Sequence, residues 1–113
     1  MDELRQKIVD AGLGEKGLPV MAHSGEDPGH EYFMDLTRAL RTLLDHLKGQ
    51  AHLDRELSCA LYALGCHVDR QYQAAVGCGM TFRDDLFDPD ILNLEAAVES
   101  IFADERIEFM EGI

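Results

Sequence analysis

Apolar positions recur at helical spacing along most of the chain. Phe33, Leu36, Leu40, Leu43, Leu44 and Leu47 form one continuous stripe. Glu31, Asp35, Arg38, Arg41, Asp45 and Lys48 occupy the opposite side, which is the signature of an amphipathic helix with one face on a core. Asp27-Pro28 precedes this helix as an N-cap acid with proline at N1, and Gly49 stands where a C-terminal cap belongs. A short helix is predicted over residues 2–11, with Leu4 and Ile8 on one side.

Between those two helices lie Gly12, Gly14, Gly17, Pro19, Gly25, Pro28 and Gly29. That density predicts an irregular loop over about 12–27. A loop this long in a small domain is functional or mobile.

The next helix runs from about Leu53 to Val76 and has a different pattern. Charges mark its ends, while residues 57–68 between them have almost no polar side. A helix apolar all round is expected at the centre of a bundle. Its small residues Ser58, Cys59, Ala60, Ala63, Gly65 and Cys66 suit close helix contacts, and Gly65 in mid-helix implies that a side chain there would clash. Gly77-Cys78-Gly79 ends it, and a polar loop follows. Asp88-Pro89 repeats the cap-plus-proline start, and Ile91, Leu94, Val98, Ile101 and Phe102 supply a last amphipathic stripe. The tail from Arg106 onward is read as an extension of that helix, with a short strand as the alternative. The expected fold is all-α: a single domain over residues 1–113, a small bundle of three long helices plus a short N-terminal one.

With 113 residues, of which 46% are hydrophobic, the chain can build one modest core. The start, Met1-Asp2-Glu3-Leu4-Arg5, lacks the bases and apolar run of a signal peptide. No apolar run approaches the roughly 20 residues that span a bilayer, so a soluble, cytoplasmic protein without membrane contact is expected. Cys59, Cys66 and Cys78 form no C-x-x-C pair. Seven residues of helix separate Cys59 from Cys66 by about 10.5 Å, too far for a disulfide, so buried and reduced thiols are expected.

Charge sharpens the picture. The chain carries a net −12, and from Gly77 onward ten carboxylates face only Arg83 and Arg106. This segment of −8 favours a basic protein partner and disfavours direct nucleic-acid binding, which needs clustered lysines and arginines. Asp84, Asp85, Asp88, Asp90, Glu95 and Glu99 are the candidate partner-binding residues. Capping and the helix dipole explain part of the cluster, because acids in a first turn gain roughly 0.3–1 kcal/mol each. Glu95 and Glu99 are not explained that way: at i, i+4 they repel each other.

The leading functional expectation is a small acidic protein-interaction module, of the kind that inhibits or confers immunity by covering a basic site. A ligand- or metal-binding bundle using His46, His52, Glu56 and His67 is the alternative, although the Glu-x-x-His pairs of di-metal bundles are missing. A structural homodimer through the small-residue helix is a third. No catalytic residues, metal ligands or cofactor sites are assigned. Cys66 and His67 are adjacent on a helix and so point about 100° apart. Cys78 sits at a helix C-terminus, where the dipole disfavours a thiolate.

Overall fold

The computed structural model describes residues 2–105, which form six α-helices and no strand. They are α1 (Asp2–Leu13), α2 (Leu18–His23), α3 (His30–Leu47), α4 (Arg55–Tyr62), α5 (Val68–Gly77) and α6 (Leu92–Ala103). A π-helical turn, Ala63–His67, joins α4 to α5, so the two form one continuous rod. A kinked stretch, Leu86–Ile91, leads into α6. The all-α bundle expected from the periodicity is therefore what forms. The tail at 106–113, read as helical, lies outside the described residues.

The stripe of α3 is buried as its spacing demands: Phe33, Leu36, Leu40, Leu43, Leu44 and Leu47 all face the core. They meet Ile8 of α1, Leu57, Leu61 and Leu64 of the central rod, and Leu94 and Ile101 of α6 in one cluster. Each such side chain contributes on the order of 1.5–3 kcal/mol when it leaves water.

Residues 12–27 depart from expectation, because they are not a continuous loop. Gly12 belongs to α1, and a Cβ there would lie 2.6 Å from the carbonyl oxygen of Ala60. This glycine lets α1 approach the backbone of α4 and does not break the helix. Leu18 and Ala22 of α2 are fully buried, with Pro19 in its first turn. The i, i+4 pair behind an N-terminal proline was a helix signal that the surrounding glycines masked.

Asp27-Pro28 is not the cap of α3 either. The helix starts at His30 behind Gly29, whose φ of 100° suits only glycine. Asp27 instead accepts a hydrogen bond from the Gly29 amide at 2.9 Å, closing an Asx turn. At the other start, Asp88 has the extended dihedrals (φ −137°, ψ 107°) of a residue just outside a helix.

Surface pairs tie the helices at their ends. Arg5 of α1 binds Asp54 and Glu56 at the start of α4, both at 2.9 Å. Asp54 also caps α4 by accepting from the Leu57 amide, and these bonds hold its carboxyl below the usual range, the Arg5 contact most. Lys7 pairs with Asp35 of α3. The Gly49 amide donates to Asp104, linking the ends of α3 and α6.

Candidate functional site

The six candidate acids separate into three environments. Asp84, Asp85 and Asp88 are exposed in the connection between α5 and α6. Asp90 is not available to a partner, because its side chain is only 2% exposed. Its carboxylate lies 2.7 Å from His30 Nδ1 and 2.6 Å from an Arg83 terminal nitrogen. This corrects the expectation that Asp90 is one of the partner-binding acids. Sequence spacing cannot reveal such burial, since His30 is sixty positions away.

Arg83 is the hub of this cluster. It donates to Asp27 through Nε at 2.7 Å and through a terminal nitrogen at 3.3 Å. It also lies over the Phe33 ring, 5.7 Å from the centroid, in cation–π geometry. Burial disfavours its charge, but the hydrogen bonds to Asp27 and the ion pair with Asp90 outweigh that and raise its pKa. Alongside it, the buried Tyr72 hydroxyl donates to the Glu26 carbonyl at 2.7 Å, and desolvation raises the phenol pKa. Loop 24–29, the α3 start and the α6 start are thus locked together.

Glu95 and Glu99 occupy the third environment. On α6, residues 94, 96, 97, 98, 100 and 101 are buried, leaving Glu95, Glu99 and Phe102 as the outward stripe at i, i+4, i+7. No cation pairs with either glutamate among the described residues. Burial, then Asp69 and Glu99, pushes the Glu95 carboxyl above its ordinary pKa. Among the described residues the charged groups that shift this half-buried acid are therefore other acids.

Next to this stripe runs the outer side of the central rod. Cys59, Tyr62 and Cys66 are exposed, whereas a buried centre was expected. Tyr62 is 52% exposed, and so is Phe102, which had been assigned to the core stripe. Between them lies a hollow of about 440 Å³, with Gly65 and Cys66 on one wall and Glu95, Val98 and Glu99 on the other. The close approach at its floor is real, because a Cβ on Gly65 would lie 2.9 Å from Val98 Cγ1. Tyr62 also bounds a second hollow of about 570 Å³, lined by Leu13, Cys59, Arg55 and His67. Its ring meets His67 edge to face at 5.1 Å. The π turn sits between the two hollows, and such turns recur at functional sites.

The histidine alternative finds no centre. His46 and His52 are exposed, and Glu56 is committed to Arg5. No three His, Cys, Asp or Glu side chains converge in a metal-binding arrangement among the described residues. No described helix is long and apolar enough to cross a membrane. Tyr62, Cys66 and Phe102 were missed as surface residues because an uncovered apolar face and a buried centre have the same periodicity. No family model, curated protein or solved structure matches the chain, so its function has to be read from these surfaces themselves.

Proposed function

We propose that the protein is a protein-interaction module whose partner is basic, bound on the face shared by α6 and the α4–α5 rod. It would act in the inhibitory or immunity-type manner of a small acidic protein covering a basic site. The observation that carries this reading is the Glu95–Glu99 stripe, which has no described cation and lies beside exposed Tyr62 and Phe102. Charged rims steer association, while apolar residues at the centre of a patch supply most of the affinity. Buried Asp90 drops out of the binding set, and Asp84, Asp85 and Asp88 serve as outlying charge.

Capture from lysate on the immobilised protein, at low and high salt, tests the reading. A basic protein should be retained at low salt and lost on Glu95→Lys with Glu99→Lys. It should be retained, with reduced on-rate, when Asp84, Asp85 and Asp88 are reversed instead. Capture that survives reversal at Glu95 and Glu99 would sink it.

A further inference from the structure

The hollow between Tyr62 and Phe102 constrains what can occupy it. Its walls are two helices in direct contact, α6 and the π turn, and no sheet edge exists among the described residues. An extended peptide laid there would find no row of backbone donors and acceptors to pair with. A helix satisfies its own backbone bonds and needs only an apolar stripe, which suits a groove with small residues Gly65 and Cys66 in its wall. Glu95 and Glu99 line the hollow, and Asp69 is close enough to raise the Glu95 pKa, so its rim is acidic. A second copy of the chain is disfavoured by charge, because each copy brings a net −12.

We propose that this groove seats an amphipathic helix of the basic partner, with its apolar stripe between Tyr62 and Phe102 and lysines or arginines against Glu95, Glu99 and Asp69. The proposal rests on the basic-partner reading and adds the partner's secondary structure and its seat. It also explains why the described residues leave Tyr62 and Phe102 half exposed on one shared side. Tyr62 and Phe102, each half exposed and both lining one hollow, supply the apolar contacts that such a helix needs.

The test uses the full chain, labelled with ¹⁵N, and three synthetic peptides. One has leucines at i, i+3, i+4, i+7 flanked by lysines. The second has the same composition in shuffled order, and the third keeps the stripe with glutamate for lysine. The first should shift the amides of Tyr62, Gly65, Cys66, Glu95, Glu99 and Phe102, binding at least tenfold tighter than the other two. Phe102→Asp and Tyr62→Asp should each weaken it at least tenfold. Should either variant fail to fold by circular dichroism, a bulky maleimide on Cys66 in a Cys59→Ser, Cys78→Ser background should block the groove equally.

Equal binding of the shuffled peptide overturns the inference while leaving the basic-partner reading intact. Equal binding of the glutamate peptide overturns both. Shifts centred on Asp84–Asp88, or no binding by any peptide, overturn the groove assignment, and lysate capture then judges the basic-partner reading separately. A dimer in sedimentation that Tyr62→Asp dissociates would show that a second copy takes the groove, against the proposal.

Discussion

Asp90 and Glu95 stand five residues apart in the same segment and carry the same formal charge, yet the fold treats them oppositely. Asp90 is almost wholly removed from water and is matched by Arg83 and His30. Glu95 is partly buried and faces two more carboxylates, Asp69 and Glu99. Burial of a charge costs several kcal/mol unless partners compensate it, so the first site is tolerated only as part of a cluster. The second has no cation partner among the described residues. An acidic count along the sequence merges a buried acid matched by bases with a half-buried one whose named neighbours are also acids.

The comparison breaks most visibly at Arg83. Arg83→Met leaves Asp90 buried with only His30 and frees Asp27, and should cost about 3–5 kcal/mol in urea unfolding. Asp90→Leu combined with Arg83→Met should recover most of that, since a matched apolar pair carries no stranded charge. A loss below about 1 kcal/mol for Arg83→Met would place Asp90 with the surface acids after all.

A smaller effect is expected at the seam beneath the open face. Gly65→Ala drives a Cβ against the stiff, branched Val98 side chain. Overpacking outweighs the gain in helix propensity of about 1 kcal/mol, giving a net loss of about 1–2 kcal/mol. Val98→Ala in the same chain should reverse the loss, and an additive result would mean that the two helices do not press together there.

The smallest effect carries the opposite sign. Glu95→Gln removes one member of a like-charge group and should stabilise the protein by a few tenths of a kcal/mol at neutral pH. The folded state raises the Glu95 pKa, so ionising this residue penalises the folded state above that raised value. Below the ordinary glutamate value of 4.5 the carboxyl is protonated in both states and the advantage of glutamine should vanish. Thermal unfolding of both proteins across pH 4–7 checks the sign; an advantage that grows toward acid would contradict it.

Much of the architecture was legible because α3 and α6 announce themselves by spacing, and because apolar periodicity reflects a local property, the angle between successive side chains. Glycine was harder to interpret. Gly12 was taken as a helix breaker, while its actual place is a backbone contact with Ala60. The candidate site was half legible. Glu95 and Glu99 stood out because local helix physics disfavours them, and the structure puts both on one outward stripe.

What the sequence determined by itself is the all-α class, the main stripes and the acidic bias, each of which follows from composition and short-range spacing. Only tertiary structure decided which apolar residues stay uncovered and which acid is compensated. Tyr62 and Phe102 are half exposed because no other described helix lies across them. Asp90 is closed because His30, sixty positions away, and Arg83, from the preceding loop, converge on it. Burial and charge compensation depend on neighbours brought in from elsewhere in the chain, and no local pattern encodes them.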